Sequence, residues 1–131
     1  MVGWVDHSNS LVHSSTSISN NNVTLRDNGS TTIDDVFGGY SETTTVENNT
    51  INISGNPTFG VTTVLYGGDE LNGRGDNFTS NTLNIHAKDI KVKNIVNFDF
   101  INFYLPNNIK SNDTLLNLSN ADNTQTYQIQ K

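Results

Sequence analysis

The feature that most constrains the fold of this 131-residue chain is a four-residue phrase that occurs three times. The copies read NVTL at 22–25, TINI at 50–53 and TLNI at 82–85. Each copy alternates apolar and polar residues, and alternate side chains of a β-strand point to the same face. The pattern therefore predicts three equivalent strands. Their inward side chains are Val23, Leu25, Ile51, Ile53, Leu83 and Ile85.

A second phrase lies between these copies and repeats at a similar spacing. It reads VFGGY at 36–40 and LYGGD at 65–69. The segments after it, 41–47 and 70–80, differ in length, and such insertions are usual where repeats stack into a solenoid. The conserved order of the two phrases predicts an all-β fold, a parallel β-helix or β-solenoid of stacked repeats.

This pattern also gives a division of the chain. We expect a single domain over residues 1–131. Its repeat units are predicted at about 20–47 and 48–80, followed by a closing coil at 81–119. Residues 120–131 are predicted to form a tail or an edge strand.

The composition favours an ordered β structure over disorder. Only 33% of the residues are apolar, which is low for a compact globule. Disordered chains, however, are rich in charge and proline, whereas here 15% of residues are charged and two are proline. Asn is abundant, and it suits both tight turns and ladders of stacked amides. A solenoid with short polar turns accounts for both features.

The most apolar stretch of the sequence lies near its end, at 95–105. We expect this closing segment to be the central core. The alternation changes phase between Phe100 and Ile101, which indicates a bulge or a corner, and Pro106 ends the segment. The side chains predicted to be buried are Phe98, Phe100, Phe103 and Leu105.

Several of these phrases together resemble the passenger repeats of autotransporter adhesins and haemagglutinin-like proteins. They are NTINIS at 49–54, the Gly-Gly-aromatic phrases at 37–40 and 66–68, and the closing NF…NFYLP at 97–106. The resemblance covers roughly residues 20–119. It implies a β-solenoid that is exported and displayed outside the cell, on the outer membrane of a Gram-negative-type bacterium.

The family's membrane barrel, which follows the passenger, is not in this sequence, so the resemblance implies a fragment attached to the membrane only through that barrel. The function implied is adhesion to a host cell-surface or matrix protein, to a glycan, or to other bacteria. Two alternatives remain: a passive structural stalk, and a β-helical carbohydrate-active enzyme. The family has no shared catalytic residues, so none is transferred.

The residues themselves also give no catalytic site. The histidines His7, His13 and His86 are scattered, and carboxylates that are neighbours in a strand, such as Asp34 and Asp35, point to opposite sides. We therefore expect no enzyme activity and no cofactor. The chain has no cysteine for a thiolate metal site, and its net charge of −6 disfavours nucleic acid as a partner.

The best candidate for contact with a partner is the long loop after the second Gly-Gly phrase. It contains Arg74, Gly75 and Asp76, a tripeptide that many integrins read. Variable loops on rigid scaffolds are where binding residues concentrate. The same loop offers Asp69, Glu70 and Asp76 as an alternative, weak Ca²⁺ site, although we predict no metal.

Overall fold

The fold consists of short β-strands joined by turns and loops. The computed structural model describes residues 17–27, 31–42, 44–70, 75–120 and 125–128. No residue in these ranges is helical, and therefore none of them forms a helix that could cross a membrane. The strands are β1 (Ser17–Ser19), β2 (Asn22–Leu25), β3 (Val36–Phe37), β4 (Tyr40–Ser41), β5 (Thr45–Glu47), β6 (Thr50–Ser54), β7 (Val64–Tyr66), β8 (Asp69–Glu70), β9 (Thr82–His86), β10 (Ile90–Val92), β11 (Asn94–Val96), β12 (Phe100–Phe103), β13 (Thr114–Leu118) and β14 (Gln125–Gln128).

The strands stack into parallel sheets that run along a solenoid of about three turns. The largest sheet has the order β2-β6-β9-β12, and a three-stranded sheet has the order β3-β7-β11. Two further sheets are two-stranded, β1-β5 and β4-β8, and the last sheet has the order β10-β13-β14. All pairs are parallel except β13 with β14. The predicted β-solenoid is therefore confirmed.

The repeated phrase supplies the core, as its alternation predicts. Val23 pairs with Ile51, and Ile51 with Leu83, so identical positions of successive turns lie on top of one another. Of the six predicted inward residues, five are buried and Leu25 is partly buried against the core. The core is completed by Ala87, which follows β9, and by residues from the other strands: Val36, Leu65, Ile90, Val92, Leu116 and Leu118.

The Gly-Gly phrase recurs because successive turns approach each other closely there. A Cβ on Gly38 would lie 2.5 Å from the carbonyl oxygen of Gly67. Gly67 is in turn packed against the backbone of Asn97 in the next turn. A side chain at either glycine would push the turns apart, so this corner excludes larger residues.

A buried ladder of asparagines holds another corner of the solenoid. Asn49 Oδ1 accepts hydrogen bonds from the backbone N–H and the side-chain amide of Asn21, at 3.1 and 3.0 Å. Asn81 Oδ1 accepts one from the backbone N–H of Asn49 at 2.9 Å. The amide of Asn49 also donates to the carbonyl of Ile18, and that of Asn81 to Val46. Because Asn49 and Asn81 are fully buried, these bonds replace those that water would make.

The closing segment is not the central core, so that prediction was wrong. Phe98 and Phe103 are partly buried, but Phe100 and Leu105 are each 52% exposed. The reason lies in the register. Phe100 pairs with Thr82, a position on the outer side of the sheet, and β12 is the last strand of that sheet. The inward side chains of β12 are Ile101 and Phe103, which no further described strand of this sheet covers.

The last turn is also much shorter than the others, which explains its change of phase. In the last turn, Ile95 of β11 and Ile101 of β12 are only six residues apart. The residues that they pair with in the preceding turn, Leu65 and Leu83, are eighteen residues apart. The corner lies at 97–99, where Asn97 has φ 61°. The predicted break between Phe100 and Ile101 is thus displaced, because β12 runs through both residues.

A core substitution should distinguish these two parts of the fold. Ile51→Ala, at a fully buried position, should lower the free energy of unfolding by about 2–5 kcal/mol. Phe100→Ala, on the outer face, should change it by no more than about 0.5 kcal/mol. Urea unfolding followed by circular dichroism measures both. If both variants lost the same free energy of unfolding, the closing segment would have to be part of the core.

The buried asparagine ladder gives a second test. Asn49→Ala leaves the N–H of Asn21 and the carbonyl of Ile18 without their partner, and each buried unpaired group costs about 1–3 kcal/mol. The comparison variant is Asn102→Ala. The amide of Asn102 also donates a hydrogen bond to another asparagine, Asn84, but it lies outside the buried ladder at an exposed position, so its loss should cost about 0.5 kcal/mol or less. A thermal melt in which both variants lose the same stability would show that burial of the ladder is unimportant.

Candidate functional site

The predicted contact loop is tied to the solenoid where the structure describes it. Arg74 lies outside the described residues. Gly75 packs against β5, since a Cβ there would lie 2.9 Å from the backbone nitrogen of Thr45. The carbonyl of Asp76 accepts a hydrogen bond from the N–H of Val46 at 2.7 Å. This end of the loop therefore continues the stack instead of projecting from it.

The carboxylate of Asp76 is used within its own turn. It accepts hydrogen bonds from the backbone N–H groups of Phe78 and Thr79, each at 2.9 Å, and from the hydroxyl of Thr79. The Thr79 hydroxyl, followed by the two backbone groups, lowers the pKa of Asp76 below its usual value. A receptor that reads this carboxylate must compete with these donors. Contact through Arg74, Gly75 and Asp76 stays a prediction.

The other residues with chemical potential do not converge. Within the described part of the chain, no three His, Asp or Glu residues come together as metal ligands. Asp35 accepts a hydrogen bond from the N–H of Val64 at 2.8 Å, a structural role. Lys88 and Asp113 form an ion pair at 3.1 Å. None of these groups forms a catalytic constellation with another.

A row of aromatic rings follows the β3-β7-β11 sheet. Phe37 and Tyr66 stack with their centroids 4.7 Å apart and their planes 5° apart, and Tyr40 meets Phe37 edge-on at 5.7 Å. Desolvation and then the charges of Asp35 and Asp69 raise the pKa of Tyr66. Phe37 and Tyr66 each cover one face of the other, and both side chains are partly buried, so this pair presents less ring surface than Phe100 and Tyr104 do.

An open cleft lies between the loop at 57–61 and strand β10. It has a volume of about 290 Å³ and is lined by Phe59, Val61 and Lys91 among others. Val61 at the rim is 88% exposed, so the cleft does not enclose this apolar side chain. Its polar lining consists of Lys91, Asp89, Thr58 and Ser119.

The outer face of the β2-β6-β9-β12 sheet offers the most ordered array of ligand-binding groups. Side chains that alternate with the core residues form three rows across its strands. Strand registers, ring stacking and amide bonds place them together. The rows are Asn22, Thr50, Thr82 and Phe100; Thr24, Asn52, Asn84 and Asn102; and Ser54, His86 and Tyr104.

The middle row is a ladder of side-chain amides. The amide of Asn102 donates to Asn84 Oδ1 at 3.0 Å, and the amide of Asn84 donates to Asn52 Oδ1 at 3.0 Å. Asn52 continues the ladder to Asn22. Each amide nitrogen has two N–H donors and each oxygen two acceptor positions, so a ladder that uses one of each leaves further hydrogen-bonding capacity toward solvent.

Two exposed aromatic residues flank the end of this ladder on the last strand. Phe100 is 52% exposed and Tyr104 is 50% exposed. The ring of Tyr104 stacks on His86, with centroids 4.3 Å apart and planes 5° apart. The imidazole covers one face of the phenol ring and holds its plane, so the opposite face is left for a ligand. We call Phe100, Asn102, Tyr104, Asn84 and His86 the aromatic-amide face.

Sequence reasoning missed this face, although a signal was present. Phe100, Asn102 and Tyr104 share one phase of a period-2 pattern, and Ile101 and Phe103 share the other. Aligning Ile101 with Leu83 would have placed the first set outside. The aromatic residues were instead assigned to the core because they are apolar.

The engagement of Asp76 predicts an acid-dependent contribution to stability. Its pKa is lowered in the fold, so the ionised group contributes stability above its unfolded pKa of about 4, and this is lost as pH falls through the folded value. Asp76→Asn should therefore melt a few degrees below wild type at about pH 7, and the difference should shrink toward about pH 2. Thr79→Val should reproduce part of the loss at neutral pH. A melting difference independent of pH would contradict the assigned bonds.

Comparison with known proteins adds no relative to this picture. No protein-family model, curated protein or solved structure matches the chain. The argument for function therefore starts from the solenoid and the groups that it exposes.

Proposed function

We propose that this chain is a binding segment of a bacterial surface protein, an adhesin that holds the cell to a host surface, to matrix or to other bacteria. The observation that carries the proposal is the exposure of two aromatic rings, Phe100 and Tyr104, beside an ordered amide ladder on a flat sheet face. Exposed large apolar groups that are grouped together mark interaction sites.

The aromatic-amide face favours a binding role over a passive stalk. A stalk needs strands that stack and polar side chains that keep the outer surface soluble. Phe100 occupies a row whose other members are Asn22, Thr50 and Thr82, so a polar residue there would be compatible with the fold. Aromatic residues combine large contact area with few rotatable bonds, which suits them to recognition.

Display outside the cell is part of the same proposal. It is supported by the resemblance of the repeat phrases to autotransporter passengers and by the β-solenoid fold that this resemblance implies. A membrane barrel elsewhere in a longer protein would supply the attachment to the outer membrane. A carbohydrate-active enzyme is the weaker alternative, because the three rows of the face include no Asp or Glu that could act as an acid or a base.

Attachment assays test the proposal directly. The domain is coated on a surface, and the adhesion of epithelial cells and of bacterial cells is counted. The double variant Phe100→Ser/Tyr104→Ser should reduce attachment at least about fivefold, since interface aromatics are frequent hot spots. Val61→Ser is the matched control, because Val61 is an apolar residue with 88% exposure on another surface.

A third variant separates the loop from the sheet face. Asp76→Ala changes the integrin-type tripeptide and leaves the aromatic-amide face intact. Attachment lost with Asp76→Ala and kept with the aromatic double variant would move the binding site to the loop. Attachment that is equal for wild type and every variant would remove both surfaces and favour the stalk.

A further inference from the structure

We infer that the ligand of the aromatic-amide face is an uncharged glycan chain that lies along strand β12, with sugar rings on Phe100 and Tyr104. This inference rests on the proposed binding function and names the chemistry of its partner. Four features of the face carry it: its lack of charge, the arrangement of its rings, its amide ladder and its size.

The face is nearly free of charge in a chain that carries −6 overall. Its three rows contain Asn, Thr, Ser, Phe, Tyr and His, with no Asp, Glu or Lys. Arg26 follows β2 and is thus on the far side of the sheet from β12. A charged ligand binds most strongly where opposite charge meets it, and the three rows themselves supply no carboxylate, ammonium or guanidinium group. A neutral ligand needs no opposite charge for its binding, so it suits this face better than a charged one does.

The rings offer the type of surface on which sugars stack. One face of a pyranose ring presents C–H groups, and the face of an aromatic ring carries partial negative charge that attracts such polarised hydrogens. His86 holds the plane of Tyr104 and covers only one of its sides. Since β12 is the last strand of its sheet, the other side of that ring faces past the edge of the sheet, where a ligand can reach it.

The amide ladder fits a ligand that carries many hydroxyl groups. A hydroxyl both donates and accepts, and a side-chain amide does the same. Asn102 stands between the two aromatic residues, and its amide is held in place by Asn84. No described residue donates to Asn102 Oδ1, so this oxygen can accept from a sugar hydroxyl. An ordered amide loses less conformational entropy on binding than a free side chain does.

The dimensions favour a short sugar chain over a folded protein. Four residues along a strand span about 13 Å, and four strands span about 14 Å. The whole face is therefore on the order of 200 Å², well below the roughly 800 Å² that each partner buries in a standard protein complex. A span of about 13 Å holds roughly two or three sugar rings of about 5 Å each, so Phe100 and Tyr104 would contact two rings of one chain.

Binding of defined oligosaccharides tests the inference. The domain is titrated in a calorimeter with neutral hexasaccharides of glucose, mannose and N-acetylglucosamine, and with heparin and sialylated fragments of similar length. At least one neutral chain should bind. Phe100→Ala and Tyr104→Ala should each weaken it by roughly three- to tenfold, the range expected for one ring stacking contact. Val61→Ala is the control for a change of exposed apolar surface.

Conservative variants separate ring stacking from other roles. Tyr104→Phe keeps the ring, so its affinity should stay within about twofold of wild type. Asn102→Asp keeps the size of the side chain but removes its amide donor and adds charge, so it should weaken binding about tenfold or more. Circular dichroism spectra and unfolding midpoints close to wild type exclude a folding defect.

The outcomes distinguish this inference from the function on which it rests. Cell attachment that depends on Phe100 and Tyr104 but survives enzymatic removal of surface glycans, with no glycan bound in solution, overturns the inference and keeps adhesion. Preferential binding of heparin or sialylated chains overturns the inference that the ligand is uncharged. Absence of both attachment and glycan binding overturns both proposals.

Discussion

In-register parallel pairing between successive turns is the constraint on which the rest of this structure depends. A shift of one residue between β6 and β9 would turn Ile51 and Leu83 to opposite faces. The same shift would break the buried bond between Asn49 and Asn81, leaving polar groups unpaired in the interior, which costs about 1–3 kcal/mol for each. The stacking of apolar side chains and of buried asparagines therefore selects one register. The loops between strands are free to differ in length because neither kind of stacking passes through them.

The same register determines what is exposed where the sheet ends. Two of the outer rows gain an aromatic residue at the last level, where Thr82 is followed by Phe100 and His86 by Tyr104. The last turn also omits the long segment that precedes β9, so only three residues separate β11 from β12. This shortening brings an aromatic-rich strand directly onto the sheet and leaves its outer side chains open.

Much of the fold could be predicted from the sequence because the repeated phrases show directly which strands are equivalent and how far apart they lie in the chain. The inward positions of β6 and β9 and the stacking of the repeated phrases follow from alternation and spacing. The placement of β12 did not follow, since a shortened turn removes the spacing that aligns Ile101 with Leu83. The candidate site was missed for the same reason: without the register of β12, Phe100 was predicted to be buried, and the outward face that it shares with Asn102 was not recognised.

The mistake shows what aromatic residues do in a narrow solenoid. The buried apolar residues are all Ile, Val, Leu and Ala. Turns only about 4.8 Å apart leave room inside for stacked aliphatic side chains, whereas a ring either stacks on the outside, as Phe37 does on Tyr66, or lies at the end of the stack, as Phe103 does. In a compact globule an aromatic run indicates the core. In this architecture the interior has little room for rings, so aromatic residues lie outside it, and those that keep an exposed face are available for recognition. Phe100, which is 52% exposed, and Tyr104, which is 50% exposed and has one face on His86, are residues of this kind.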